Sequence, residues 1–249
     1  MKTKQTTRSS ASHKATDAGQ LEAVAWMRRR LLRWGPVHFR GFPWRTDRDP
    51  YRTLVTEVLL KQTRAIQVGP VREALLRKYP VPSSLAEADP DDLSGLIRRL
   101  GFADQRVPQL GALGRALTKT GRTPRTVAGL LTLPGVGPYT AAAVACFAFG
   151  RRAAALDVNV ARIIGRVFAI APEHGELRKN ADVIRIASAL VSTGSPREIN
   201  WALLDLGAEV CRPHPHCSAC PLASRCQFKR HHQAALTRKQ IHRPVERAS

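Results

Sequence analysis

Apolar residues recur three and four positions apart from about residue 20 onward, and this spacing restricts the fold more than any other feature. It places apolar side chains on one face of a helix, as in YRTLVTEVLLKQTRAIQV and TVAGLLTL. No segment shows the convincing alternation of a half-buried strand. Pro- and Gly-containing stretches at 41–45, 79–84 and 121–124 can each end one helix before the next begins. The sequence therefore predicts an all-α protein.

The charge of the chain favours a polyanionic partner. Its 249 residues include 40 Lys and Arg against 19 Asp and Glu, a net charge of +21 at pH 7. Nucleic acid is the leading candidate, although a coding bias towards Arg would give the same composition. Residues 1–19 and 227–249 are basic and lack an apolar pattern, which predicts disordered tails. With no apolar run of about 18 residues and no signal-like N-terminus, we expect a cytoplasmic protein without a membrane partner.

Four of the five cysteines form a C-x5-C-x2-C-x5-C pattern at Cys211, Cys217, Cys220 and Cys226. Four thiolates this close in sequence suit a [4Fe–4S] cluster or a tetrahedral zinc site, and the spacing alone does not choose between them. Four-cysteine coordination leaves no open position for a substrate, so a structural or DNA-responsive role is expected. Cys146, in an Ala-rich run, is predicted to be an inert core thiol.

Residues 133–140 read LPGVGPYT and interrupt the helical spacing. Gly135 and Gly137 allow a tight turn, and a helix starting near Tyr139 would aim free backbone N–H groups outward. Such a turn suits a DNA phosphate oxygen, which it would grip without reading the base sequence. A plain turn between antiparallel helices would have the same letters, so the hairpin alone does not decide between the two.

Several motifs occur together in an order that resembles a known family. LPGVGPYTAAAVACFAFG is followed by LDVNVARIIGRVFAI, and further matches are FPWR (42–45), DPYRTLVTEVLLKQT (49–63) and the cysteine pattern after LLDLGAEVC. Over roughly residues 25–226 the chain resembles the helix-hairpin-helix base-excision DNA glycosylases of the endonuclease III and MutY superfamily. In that family the hairpin grips backbone phosphate, and an Asp follows after one more helix. The matching residue here is Asp157.

The resemblance implies two helical lobes, a six-helix barrel and an iron–sulfur cluster lobe. The barrel is expected over 49–150, with the helix-hairpin-helix at 131–145. An N-terminal helix at 20–48 is expected to pack with the cluster lobe at 151–226. The resemblance also favours [4Fe–4S] over zinc as the cofactor, although the first cysteine gap is one residue shorter than is usual in the family.

Cleavage of an N-glycosidic bond calls for a carboxylate near the sugar and an acid near the departing base. Asp157 is expected to stabilise the oxocarbenium-like sugar, although Asp is also a favoured N-cap for the helix that follows. Glu57 lies among apolar residues that would raise its pKa and let it protonate the base. Its alternative is a surface ion pair with Lys61. MutY-type enzymes carry a Glu at the matching position, and this resemblance favours catalysis.

Tyr139 stands where family members that also cut the backbone carry a Lys, whose amine forms a Schiff base with the sugar. The resemblance therefore implies hydrolysis without strong lyase activity. Tyr139 would hold Asp157 or the sugar through its hydroxyl, or pack as an ordinary aromatic at a helix start. Gln62 resembles the residue that fills the gap left by the extruded base. The residues expected to contact DNA are Lys61, Gln62, Arg106, Leu133, Gly135, Val136, Gly137 and Thr140.

The sequence gives less guidance on which base is removed. RRLGFADQRVPQL departs from the GLGYYxRAR-like motif of MutY enzymes and looks more like mismatch-specific thymine glycosylases, with Gln105 and Arg106 as its distinctive residues. MutY enzymes generally also have a C-terminal domain that senses 8-oxoguanine, and only 23 residues follow Cys226 here. We therefore expect a monomer that removes thymine or uracil opposite guanine from double-stranded DNA with a mispaired or damaged base. The alternatives are adenine removal opposite guanine or 8-oxoguanine, a non-catalytic DNA-binding module, and a zinc-dependent regulator.

Overall fold

The computed structural model describes residues 7–171 and 176–231, with side chains from Gly19 onward. Within these ranges it contains helices and no strand, which confirms the all-α prediction. The helices are α1 Thr7–Trp34, α2 Pro50–Leu60, α3 Ala65–Lys78, α4 Pro82–Ala86, α5 Pro90–Ile97, α6 Ala103–Thr120, α7 Val127–Leu131, α8 Pro138–Phe147, α9 Val158–Phe168, α10 Ala181–Val191 and α11 Pro196–Glu209. Short 3₁₀ turns lie at Gly35–Val37, Pro43–Arg45, Arg98–Leu100, Leu177–Lys179, Cys217–Ala219 and Ala223–Arg225.

The helix starts follow from local chemistry. Asp49, Asp89 and Asp157 each accept a backbone N–H of the first turn of the helix they precede, as N-cap residues do. Proline is the first residue of α2, α4, α5, α8 and α11, where its missing N–H costs no hydrogen bond. At the other end of α6, Gly121 adopts a left-handed φ of 67° and closes the helix.

The first helix differs from the prediction for residues 1–19. The backbone is helical from Thr7, so the predicted disordered tail is corrected for residues 7–19, while residues 1–6 lie outside the described ranges. Extending an existing helix costs far less than nucleating a new one, so the apolar-patterned part of α1 from about residue 20 onward can support a helix that extends back to Thr7. Of the predicted C-terminal tail, residues 227–231 are helical and residues 232–249 are not described.

The chain divides into two compact units. The first, here called the hairpin unit, comprises Arg40–Leu156 and Val191–Asn200. Its centre is α2, which contacts α3, α6 and α8 and is buried along most of its length. The loop before α2 is anchored by Asp47, which is paired with Arg52 (2.6 Å) and Arg72. These charges and hydrogen bonds hold the pKa of Asp47 below its usual value against the opposing effect of burial.

Residues 191–200 belong to the hairpin unit although the sequence analysis placed them in the other lobe. The buried side chain of Asn200 explains this, because its amide nitrogen donates to Ala153 O (2.9 Å) and Cys146 Sγ (3.2 Å). Its amide oxygen accepts from Ala155 N at 2.9 Å. Arg197 also donates to the carbonyls of Cys146 and Phe147 at the end of α8. Cys146 is buried, as predicted for a core thiol.

The second unit, here called the cysteine unit, comprises Met1–Phe39, Asp157–Leu190 and Trp201–Ser249. Within it, α1 is tied to α10 by Arg28, which donates to Leu190 O (2.8 Å) and to Ala189 O. Arg30 of the same helix donates at 2.9 Å to Pro221 O. Pro221 lies in the segment 211–226, here called the cysteine loop. In the described part of the chain, no helix is long and apolar enough to cross a membrane.

Candidate active site

Glu57 lies in the apolar middle of α2, and only 4% of its surface is exposed. This burial raises the pKa of the carboxyl from 4.5 to about 7, opposed by a hydrogen bond from the Tyr139 hydroxyl and by the charge of Lys61. Its Oε2 atom is buried without a hydrogen-bond partner among the described residues. A carboxyl that holds a proton near pH 7 and keeps one oxygen unpaired can act as a general acid. Glu57 is therefore buried, and the alternative interpretation of a surface ion pair with Lys61 does not hold.

The PGVG turn joins α7 to α8 and is fixed in place by two side chains. Lys61 Nζ donates to Gly135 O at 2.5 Å, and Gln109 Nε2 donates to the same oxygen at 2.9 Å. Gly135 has a φ of 69°, and a Cβ built on it would overlap the amide of Gln109. The turn thus requires glycine for its backbone conformation and for space.

The backbone of the turn matches the predicted anion-binding geometry only in part. Within the described residues, no protein acceptor is recorded for the amides of Gly135 and Gly137, whereas Val136 N donates to Leu133 O at 3.2 Å. The side chains of Leu133, Val136 and Thr140 are buried. These three side chains shape the turn through packing, and the amides of Gly135 and Gly137 are available to a phosphate.

Arg106 was predicted to contact DNA, but its side chain is buried, with 3% of its surface exposed. It donates to Leu100 O (2.9 Å), Thr63 Oγ1 (2.5 Å) and Lys61 O. These acceptors leave its guanidinium no surface for a phosphate, because a buried charge must be paired within the fold. Two of them flank Gln62, which is exposed and has a φ of 51°. Arg106 thus stabilises the strained turn that presents Gln62 to solvent.

Asp157 is the first residue of the second segment of the cysteine unit, and it caps α9. Its Oδ1 accepts from Val160 N at 2.7 Å, as the capping alternative predicts. Its Oδ2 accepts from the Asn159 side-chain amide at 2.8 Å, and Asn159 Oδ1 in turn accepts from Arg162 at 2.8 Å. Arg162 also donates to Cys211 O at 2.9 Å. A continuous chain of hydrogen bonds therefore runs from the Asp157 carboxylate to the cysteine loop.

Arg166, one turn further along α9, also binds the cysteine loop. It donates to Arg212 O (2.6 Å) and Pro213 O (2.8 Å), and its guanidinium lies 4.5 Å from the Phe228 ring centroid. From the sequence, Arg162 and Arg166 were assigned no role in the cysteine loop. Sequence reasoning missed their actual role because the carbonyls that they bind lie more than 40 residues away in the chain.

The four loop cysteines are free thiols that lie close enough to affect one another electrostatically. The pKa of Cys220 is raised to about 11, mainly by burial and also by the charges of Cys211, Cys226 and Cys217. The donor chemistry fits a four-thiolate metal centre. In the described residues, however, no group of three or more His, Cys, Asp or Glu is arranged to hold a metal ion.

The structure thus brings four of the predicted residues together in the hairpin unit, where Glu57 and Tyr139 are hydrogen-bonded and Lys61 contacts Gly135. Gln62 lies next to them in the chain. Asp157 and the four cysteines belong to the cysteine unit. Sequence reasoning did not find Gln109 and Asn159, whose partners only the fold brings within reach.

An all-α fold in which a glycine turn joins two helices, here α7 and α8, is the architecture of helix-hairpin-helix proteins. The chain belongs to the HhH-GPD superfamily of base excision DNA repair proteins, whose family model matches residues 55–185. This membership confirms the resemblance drawn from the motifs.

Individual relatives support the same assignment. The chain is 37% identical to the thymine/uracil-DNA glycosylase of Methanothermobacter thermautotrophicus, over 76% of this chain and 86% of that one. It is 35% identical to the adenine DNA glycosylase of Homo sapiens, over 88% of this chain and 42% of that one. Among solved structures, it matches a thermostable thymine-DNA glycosylase with a TM-score of 0.79 and 33% identity, over 84% of this chain and 98% of that one.

Proposed function

We propose that this base excision repair protein is a monofunctional DNA glycosylase that hydrolyses the N-glycosidic bond of thymine or uracil opposite guanine. The observation that carries the proposal is the buried carboxyl of Glu57, whose pKa is about 7 and which is hydrogen-bonded by Tyr139 beside the glycine turn. The names of relatives that act on thymine and uracil support this choice of base. Its place of action would be the cytoplasm, at chromosomal DNA.

In the proposed reaction, the amides of Gly135 and Gly137 hold a phosphate of the damaged strand, and the target nucleotide is extruded from the duplex. Glu57 donates its proton to the departing base, which then leaves as a neutral molecule. Asp157 stabilises the positive charge that develops on the sugar and orients the attacking water. Gln62, exposed on its strained turn, occupies the space that the base has left.

Tyr139 gives a reason for hydrolysis as the main reaction. Its hydroxyl is committed to the carboxyl of Glu57, and a phenol is not an amine that could form a Schiff base with the sugar. Tyr139 therefore helps to position the acid, which differs from the expected contact with Asp157 or the sugar.

We further propose that Cys211, Cys217, Cys220 and Cys226 bind a [4Fe–4S] cluster, with zinc as the alternative. The cluster would order the loop that Arg162 and Arg166 already hold through its carbonyls. A brown protein with visible absorbance and about four irons per chain supports the cluster, whereas a colourless protein with one zinc supports the alternative.

Adenine removal opposite guanine or 8-oxoguanine is the second candidate, supported by the match to human adenine DNA glycosylase. A panel of duplexes with T:G, U:G, A:G and A:8-oxoguanine pairs, followed by alkaline cleavage at abasic sites, separates the two. Cleavage of T:G and U:G supports the main proposal, and cleavage of only the adenine duplexes supports the second. Binding without cleavage of any duplex would indicate a non-catalytic DNA-binding module.

A further inference from the structure

We propose that Lys61 is a positioning residue that couples phosphate binding at the glycine turn to the loading of the proton that Glu57 donates. The two turn amides, of Gly135 and Gly137, are here called the phosphate grip. The proposal rests on the proposed function, because it concerns the acid and the phosphate grip of that reaction. Its test measures proton uptake on an undamaged duplex, so that the two can fail separately.

Lys61 lies between the two groups that it would couple. It directly follows α2, and its ammonium and the Glu57 carboxyl are close enough for each to shift the pKa of the other. On the other side, Lys61 Nζ donates to Gly135 O at 2.5 Å. This oxygen belongs to the same residue as one of the two amides of the phosphate grip. A phosphate held there would therefore lie within reach of the ammonium.

Lys61 can turn from the carbonyl to a phosphate without leaving the carbonyl unpaired. Gly135 O also accepts from Gln109 Nε2 at 2.9 Å, and this hydrogen bond does not involve Lys61. The Lys61 side chain is only half-buried and has a flexible four-carbon stem. A charged phosphate oxygen is also a stronger acceptor for an ammonium than a neutral carbonyl oxygen. The exchange of partners is therefore favourable when DNA is bound.

Without DNA, the charge of Lys61 opposes the proton on Glu57. Burial raises the pKa of Glu57 to about 7, and both the hydrogen bond from Tyr139 on α8 and the charge of Lys61 lower it. At pH 7 the carboxyl of the free protein is therefore protonated in only about half of the molecules. The acid is incompletely loaded before DNA binds.

Other cations on the helices packed against α2 are directed elsewhere. From α6, Arg106 donates to Lys61 O and lowers the pKa of the Lys61 amine. From α3, Arg72 donates to Thr56 Oγ1 at 2.6 Å and pairs with the carboxylate that anchors the loop before α2. Within the described ranges, Lys61 is thus the cation whose charge acts on Glu57.

Phosphate binding would remove this opposition. A phosphate that pairs with the Lys61 ammonium offsets its positive charge, so the neutral form of Glu57 becomes more favourable. Glu57 then takes up a proton from solvent as DNA binds and holds it until the base leaves. By linkage, the protonated protein binds DNA more tightly than the ionised one. The acid is thus fully loaded mainly while the phosphate grip is occupied.

Calorimetric titration with an undamaged duplex, in buffers of different ionisation enthalpy, measures the protons taken up on binding. At about pH 7.5, wild type should take up about 0.3 proton or more per duplex beyond Glu57→Gln, which lacks the carboxyl. Lys61→Met should lose about half or more of this excess. Without DNA, NMR titration of the Glu57 carboxyl carbon should also show a higher pKa in Lys61→Met, because the opposing charge is gone.

Two further variants separate the charge of Lys61 from a general effect of substitution. Lys61→Arg keeps the positive charge and should retain most of the excess proton uptake. Lys78→Met is the matched control, since Lys78 lies in the same unit and is paired with Asp92 at 2.6 Å. It should take up as many protons as wild type.

Either of two results would overturn the proposal: equal uptake by Lys61→Met and wild type, or no excess of wild type over Glu57→Gln. Base removal from a T:G duplex is measured separately with the wild-type preparation. If wild type removes thymine without the excess uptake, only this inference fails. If it shows the excess but removes no base from any mispaired duplex, the proposed function fails while the coupling of the phosphate grip to Glu57 stands.

Discussion

At the residue scale, Glu57 shows two features that a purely structural role does not require. Its carboxyl is buried in the middle of α2, and its Oε2 atom has no partner among the described residues. Burying a carboxyl in this way disfavours its ionised form and therefore works against stability at neutral pH. Such a cost is typical of groups that are retained for chemistry.

The pH dependence of base removal should reflect this carboxyl. Only the protonated form of Glu57 can donate, so the single-turnover rate should be highest below pH 7 and fall about tenfold per pH unit well above it. Rates measured between about pH 5.5 and 9 on saturated enzyme would test this. A rate that stays flat to pH 9 would exclude Glu57 as the proton donor.

Glu57→Gln should abolish proton donation and yet stabilise the fold in alkali. Since the folded-state pKa of Glu57 is raised, the favourable contribution of its protonated form is complete below pH 4.5 and lost as the pH rises through about 7. At pH 8.5 the variant should exceed wild type in unfolding free energy by on the order of 3 kcal/mol, with no such gain at pH 4. Denaturant titrations at the two pH values measure this difference. A variant destabilised at both would point to a structural role.

At the element scale, the glycine turn between α7 and α8 should be sensitive to an added methyl group in a way that other turns are not. Gly135→Ala must adopt a left-handed φ and displace Gln109, so it should lose about 1–2 kcal/mol of stability and at least tenfold in affinity for duplex DNA. Gly121→Ala is the control, because it has a φ of 67° with open space around it. It should lose less stability, because only its backbone conformation is strained, and it should keep its affinity. Equal affinity losses in both would refute the phosphate grip.

The start of α9 should respond to loss of the hydrogen bond between Asn159 and Asp157. Asn159→Ala leaves the cap bond to Val160 in place, so stability should change by less than about 1 kcal/mol. Because the Asp157 carboxylate loses the hydrogen bond that orients its Oδ2, the single-turnover rate of base removal should fall about tenfold or more, with little change in DNA affinity. A loss of affinity with an unchanged rate would contradict this assignment.

The sequence predicted where the helices lie better than it predicted which groups their side chains bind. The apolar neighbours of Glu57 correctly indicated its burial, and LPGVG correctly indicated the turn. The hydrogen-bond acceptors of the arginines were not predictable from the sequence, because Arg106 and Arg162 bind carbonyls that only the folded chain brings near. The helical state of residues 7–19 was missed because composition does not show that a helix started later in the chain can extend backward.

At the scale of the whole molecule, the net charge of +21 predicts strong and salt-dependent attraction to DNA. Affinity for an undamaged duplex should fall by about 10³-fold between about 50 and 200 mM salt, as expected when six or more phosphates are neutralised. Fluorescence anisotropy across this range measures the slope. An affinity that does not depend on salt would show that the excess of basic residues is not used for binding DNA.

The most direct test of the proposed function is excision of thymine from a T:G duplex by wild type and Asp157→Asn under single-turnover conditions. Asn caps helices as well as Asp does, so the variant should remain folded and bind DNA while its excision rate falls at least 10³-fold. That result would support a glycosylase whose chemistry depends on this carboxylate. An Asp157→Asn protein that removes thymine at the wild-type rate would contradict the account.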